Sequence, residues 1–326
     1  MTKDSSYIED VTHIVQGLLM GGADVIPGVS GGTVALIVGI YERLVASISH
    51  FDIMLIGHLR SRRWAAAAGH IDLRFLLALG FGIMLGIVTL GSLMNHLLTS
   101  ETRPWTLAAL FGAIIASCWL VGKLIRPDTL PEAMLCLLGG LAAATLTYWL
   151  SSVKAQHDMV PSHVYLFLCG MVGICAMILP GISGALILWV LGVYVYLTDY
   201  LKDLIHGTVS GDAIVTVLVF GCGCAIGLLS FSKILRWLLA HYTSLTMTVM
   251  CGFMLGALKK IWPFQKDLTP TEPEVKHKVY EFIWPEAFNS HVLTCIIVGL
   301  LGCALVICLD WASRKLEPTA RASEPM

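Results

Sequence analysis

Two short segments carry the residue types from which chemistry could be built. One is Asp24-Val25-Ile26-Pro27-Gly28-Val29-Ser30-Gly31-Gly32-Thr33, and the other is Leu179-Pro180-Gly181-Ile182-Ser183-Gly184. Proline has no amide donor and disfavours helix at the residue before it, while glycine permits an open backbone. A helix that restarts after each break has Ser30 or Ser183 at its N-cap, followed by amides with no internal partner. Within hydrocarbon such amides must meet protein, water or a ligand. Their natural ligand is an anion, either phosphate or carboxylate. The candidate anion-binding set is therefore Gly28, Ser30, Gly31, Gly32 and Thr33 in the first break, with Gly181, Ser183 and Gly184 in the second. Arg43 is a further cation able to hold a phosphate, and it would serve equally as an interfacial anchor. Asp24, three residues before Pro27 in an apolar stretch, and Glu42 are the candidate coupling carboxyls. A carboxyl in an apolar setting suits proton exchange.

Both breaks sit in apolar sequence. The chain has 326 residues, of which 56% are hydrophobic and 13% charged. Soluble domains carry roughly a quarter charged residues, so this composition describes a membrane protein. Its net charge of −1 gives no field for nucleic acid. All ten cysteines lie in apolar runs without metal-ligand or disulfide spacing, so they read as small core residues. Neither a metal site nor a cofactor is expected. The polar, rather acidic first ten residues lack the basic stretch of a cleavable signal peptide.

The elements that must position the breaks repeat. Gly17, Pro27, Gly28, Ser30, Gly31, Gly39, Tyr41 and Leu44 match Gly170, Pro180, Gly181, Ser183, Gly184, Gly192, Tyr194 and Leu197 at one constant offset. Hydrophobicity alone does not produce such a match. The expected fold is an all-α polytopic membrane protein of two inverted-topology repeats. Each would have a Pro/Gly-broken re-entrant helix hairpin and about three transmembrane helices. The first repeat, 1–150, holds the re-entrant 11–48, an interfacial helix over 50–73, and spans near 75–98, 106–125 and 133–150. The second, 151–326, holds the re-entrant 163–201, spans near 214–239, 245–258 and 292–309, and a charged loop over 259–290. With both termini cytoplasmic, Arg60, Arg62, Arg63, Arg74, Arg126, Lys233 and Arg236 fall inside. Arg103, Lys154 and Lys202 fall outside in the short loops, a distribution that obeys the positive-inside rule.

The first break, with Gly39-x-Tyr41-Glu42 after it, resembles the signature of the PopT-type bacterial polyprenyl-phosphate translocases, and the second break resembles their second copy. The similarity in layout covers nearly the whole chain. It implies a translocase of the bacterial inner membrane that returns undecaprenyl phosphate from the outer to the cytoplasmic leaflet, with H+ or Na+ as a coupling partner. The headgroup would be held at the paired helix starts while the prenyl tail stays among membrane lipids. A small-anion transporter is the main alternative. An intramembrane serine protease is a weaker one, because His96, His163, His241 and His291 stand near span ends, away from either serine. A lipid phosphatase is disfavoured by the absence of its arginine and histidine constellation.

Overall fold

A computed structural model describes residues 3–24, 30–99, 101–153, 161–205, 211–268, 280–285 and 287–316. The chain is almost entirely helical. The first break divides α1 (Lys3–Asp24) from α2 (Gly31–Ile37), and a turn leads to α3 (Tyr41–Ser49). Helices α2 and α3 are bent by 118°. Two short helices follow, α4 (Ile53–Arg60) and α5 (Trp64–His70), parted where Arg62 adopts a left-handed φ of 53°. Then come α6 (Leu73–Thr99), α7 (Arg103–Gly122) and α8 (Leu130–Leu150). The second break lies between α9 (His163–Ile178) and α10 (Gly184–Val190), ahead of α11 (Tyr194–Ile205), α12 (Gly211–His241) and α13 (Thr243–Ala257). A small antiparallel hairpin, β1 (Gln265–Asp267) with β2 (Tyr280–Phe282), precedes α14 (Ser290–Leu316). Among the described residues, five helices are long and apolar enough to cross a membrane, or six if the bent pair counts as one span. Their outer faces expose large apolar side chains such as Leu77, Met84, Val88, Leu137, Leu218 and Leu300, as lipid-facing helices must.

The long helices pack in parallel pairs whose backbones touch. A Cβ on Gly82 would collide with the Ile14 carbonyl, and one on Gly86 with the Leu18 carbonyl, which lays α1 beside α6 in the same direction. At the corresponding positions of the second segment, Gly223 meets the Phe167 carbonyl and Gly227 meets Met171, joining α9 to α12. Gly112 against Gly299 seats α7 on α14, and Gly252 against Gly140 seats α13 on α8. Small residues at membrane helix interfaces permit this close approach, so dispersion supplies the adhesion that the hydrophobic effect cannot supply within lipid.

Each short helix ends in the same way. Gly39 and Gly192 take φ of 76° and 75°, a left-handed conformation open to glycine. The amide of Ile40 reaches back to the Ala35 carbonyl at 3.0 Å, as that of Val193 does to Leu188 at 3.0 Å. This is a Schellman-type stop, which satisfies the last carbonyls and turns the chain sharply. The Gln16 side chain donates to the Val38 carbonyl at 3.5 Å, so α2 runs back alongside α1 instead of continuing across.

The packing gives a direct test. Gly82→Leu is expected to lower the melting temperature of the detergent-purified protein or abolish its monodisperse peak, because overpacking a tight contact costs about 1–3 kcal/mol or more. Gly80→Leu, one turn-face away with nothing within 4 Å of its Cβ position, is expected to leave both unchanged. Equal behaviour of the two variants would refute the assigned seam.

Candidate functional site

The residues that follow the first break cross the second break and are laced to it by hydrogen bonds. Ser30 Oγ donates to the Met177 carbonyl at 3.2 Å. Tyr41 Oη donates to the Ile178 carbonyl at 3.1 Å. In the other direction, the Gly181 amide donates to Thr33 Oγ1 at 3.0 Å. These three bonds serve backbone groups of the second segment that lose helical partners where α9 ends ahead of Pro180, so side chains of the first segment complete the hydrogen bonding of the second. Ser30 and Thr33 are accordingly 2% and 1% exposed. Gly181, at φ 85°, lies so close to the backbone of Met254 that a Cβ there would collide with it.

Beside this crossing lies a cavity of about 340 Å³. Asp24 and Ser30 reach it from the first break, and Ser183 and Gly184 from the second. Apolar and aromatic side chains complete the wall, with Leu188 and Tyr194 from the second hairpin and Phe220 from α12. A mostly apolar pocket with a few converging polar groups is the usual form of a ligand site.

The two helix starts that face the cavity are not equivalent. At α2, Asp24 Oδ1 accepts from the Gly31 amide at 2.6 Å and Ser30 Oγ accepts from the Gly32 amide at 3.2 Å. The Thr33 amide donates to the Ser30 carbonyl at 2.9 Å, so this end is closed by the protein's own oxygen atoms. At α10, Ser183 holds the N-cap position but makes no side-chain capping bond. Met177 stands where the first segment has Asp24, so no carboxylate covers the second end. One end of the site thus carries a built-in anion and the other presents an unengaged hydroxyl.

Of the residues singled out in the sequence, Asp24, Ser30, Ser183 and Gly184 line the cavity. Gly31, Gly32, Thr33 and Gly181 lie directly behind them, in the crossing itself. Gly28 is outside the described residues. Glu42 and Arg43 stand apart from the cavity lining. Glu42 is exposed. Arg43 Nε donates to Asp72 Oδ2 at 2.7 Å, its Nη1 lies 3.1 Å from His13 Nε2, and its guanidinium covers the Phe75 ring at 4.4 Å. Tyr194 in the wall and Tyr41 in the crossing are positions of the candidate site not assigned from the sequence, although their match across the two segments was the available signal. Among the described residues no group of His, Cys, Asp and Glu is placed to hold a metal ion.

Fold and site together define a multi-pass helical membrane protein, with a mostly apolar cavity between two helix breaks into which a few polar groups converge. That is the build of a transporter. Residues 20–279 match the family model described as "Undecaprenyl phosphate translocase-like", and the chain belongs to this family, which is one of transporters and not of enzymes. It is 40% identical over 311 residues to the polyprenyl-phosphate transporter of Vibrio cholerae serotype O1, covering 92% of this chain and 96% of that one. It is 29% identical over 257 residues to the polyprenyl-phosphate transporter of Staphylococcus aureus, covering 77% and 86%. No solved structure matches it.

The unequal capping predicts unequal stability. Ser30→Ala removes the cap of Gly32 and a bond to Met177, and is expected to destabilise the protein by about 1–2 kcal/mol. Ser183→Ala removes no hydrogen bond and is expected to stay within about 0.5 kcal/mol. Thermal melts of the two purified variants check this, and equal losses would mean that Ser183 also caps.

Proposed function

We propose that this protein is a flippase for undecaprenyl phosphate, which carries the phosphate headgroup from the outer to the cytoplasmic leaflet so that the carrier lipid is used again. The observation that carries the reading is the single cavity into which both breaks project, in a chain of the translocase-like family. A phosphomonoester cannot enter hydrocarbon unaided, because the cost of stripping its water exceeds what lipid returns. Hydroxyls and amides fixed around a cavity replace that hydration without reorganising.

In this reading the headgroup is held by Ser183, Gly184 and Gly181 on one side and by Gly28, Ser30, Gly31, Gly32 and Thr33 on the other. Asp24 sits on the Gly31 amide as an internal anion. Protonation of its carboxyl, or its displacement, frees that amide for the phosphate, which is how a proton or sodium gradient would couple to transport. Glu42 is the second coupling carboxyl, at the aqueous end of the same hairpin. Arg43 receives the headgroup there by exchanging Asp72 for phosphate.

The architecture proposed with it is a pair of inverted repeats, each a re-entrant hairpin with three spans, both termini cytoplasmic. The parallel pairing of α1 with α6 and of α9 with α12, through glycines at corresponding positions, supports it. So does the placing of Arg43, Arg74 and Arg236 at the end of the molecule opposite Arg103. Inverted repeats with broken helices meeting at the midplane are a recurrent transporter design.

The experiment is headgroup translocation of undecaprenyl phosphate in proteoliposomes. Native protein is expected to accelerate it, with rates lower by about tenfold or more in Ser30→Ala and Ser183→Ala, each of which loses a hydrogen bond to a charged group. Asp24→Asn is expected to abolish the response to an imposed gradient. Rates indifferent to both pH and sodium gradients would remove the coupling role, and uptake of inorganic phosphate without lipid translocation would overturn the reading in favour of a small-anion transporter.

A further inference from the structure

The end of the molecule remote from Arg43 holds two cations that the cavity does not use. Helix α7 begins there at Arg103 and α13 ends there. Helices α9 and α10 close on the same end, where Tyr165 Oη donates to the Leu191 carbonyl at 2.8 Å. Just beyond α13, two adjacent lysines go different ways. Lys259 Nζ donates to Ser152 Oγ at 2.5 Å and covers the Tyr148 ring at 4.0 Å. Lys260 instead lies half-buried with its ammonium 5.8 Å from the Trp189 ring centroid. No described carboxylate pairs with it. Burial alone acts on its amine and draws it down to about 8, so it remains a cation at neutral pH.

Its backbone is held on both sides. The Lys260 amide donates to the Ala257 carbonyl at 2.9 Å, and its carbonyl accepts from Gln265 Nε2 at 2.9 Å. The same glutamine accepts from Arg103 Nη2 at 2.8 Å through Oε1. Arg103 is stacked on Tyr280, its guanidinium carbon 3.3 Å from the ring centroid, and among the described residues its buried Nη1 has no hydrogen-bond partner. Asp267 on β1 is the acid whose field reaches Arg103. A half-buried ammonium without a described carboxylate beside it is costly to maintain, and an incoming anion removes that cost. Aromatic faces alone compensate only part of the charge.

The position is connected to the cavity. Trp189 belongs to α10, which starts at Ser183 and Gly184, and its neighbour Leu188 is part of the cavity wall. The helix from Ser183 to Trp189 rises only about 9 Å.

We propose that Lys260, with Arg103 held behind it by Gln265, is a second anion-binding site, which takes a phosphomonoester headgroup on its way to the crossed breaks. The inference deepens the transport reading and rests on it. The ligand chemistry is a phosphomonoester, whether borne on a prenyl lipid or present as free phosphate.

The test uses the full chain in two ways. In wild-type protein, acetylation of individual lysines is followed by mass spectrometry with and without farnesyl phosphate or inorganic phosphate. Lys260 is expected to be protected by farnesyl phosphate while Lys259 is not. Protection by inorganic phosphate at the same concentration would identify the free anion as sufficient, and its absence would identify the lipid-borne headgroup, either result supporting the site. An unchanged Lys260 rate in both would overturn it, whatever any variant does. In proteoliposomes, Lys260→Met is expected to weaken farnesyl phosphate binding by about tenfold or more, the loss of a charge-assisted contact, while Lys260→Arg stays within about threefold. Translocation in Lys260→Met should fall when lipid is supplied on the Arg103 side and not when it is supplied on the Arg43 side. Native-like binding and rates from both sides in this variant would sink the proposal while leaving the transport reading intact, whereas absence of translocation by the wild type would sink the transport reading itself.

Discussion

The structure depends on one constraint: backbone amides and carbonyls within a membrane must find partners, and a proline-glycine break removes them. Here the deficit of the second break is met by the first. Ser30, Thr33 and Tyr41 supply hydroxyls to the backbone of residues 177, 178 and 181. The first segment, which caps its own helix start, therefore caps the second as well. Once the crossing exists, the ring of hydroxyls and amides around it is polar whether or not a ligand is present. A candidate binding site follows from the requirement for satisfaction.

The asymmetry of the two helix starts follows from two of the differences between the matching segments. Asp24 against Met177 gives the first start a carboxylate, and Thr33 against Leu186 gives it the hydroxyl that holds Gly181. The first segment thus supplies structure and charge, while the second leaves its serine unengaged. A site with one occupied and one open half can respond to a ligand by exchanging which half is satisfied, and this is the elementary step that the transport reading requires.

The class of the protein was legible in composition, since so little charge cannot cover a soluble surface of this length. The breaks were legible because proline, glycine and serine act on the backbone locally. The partners of the breaks were not, since Met177 and Ile178 contribute carbonyl oxygens that no side chain advertises. Arg43 illustrates the same limit. Its type and place suggest phosphate, but Asp72, distant in sequence, holds it at 2.7 Å. The charged stretch after α13 reads as solvated loop, yet its described part folds a β-hairpin over the helix ends and draws Lys260 inward. Only tertiary packing distinguishes Lys260 from Lys259, which the sequence presents as equals.

The glycine seams have a mechanical consequence. Where Gly82 meets Ile14, Gly112 meets Gly299 and Gly140 meets Gly252, one backbone rests on another with no side chain between them. Such a surface cannot slide, because any axial displacement drives a Cβ into a carbonyl. Each pair of long helices is thus a double rod, stiff along its length. The alternating exposure that the transport reading requires would have to take place at the boundaries between rods, where side chains can change rotamer. The joined breaks lie at such a boundary, so in the transport reading the hinge and the ligand seat would be built from the same residues.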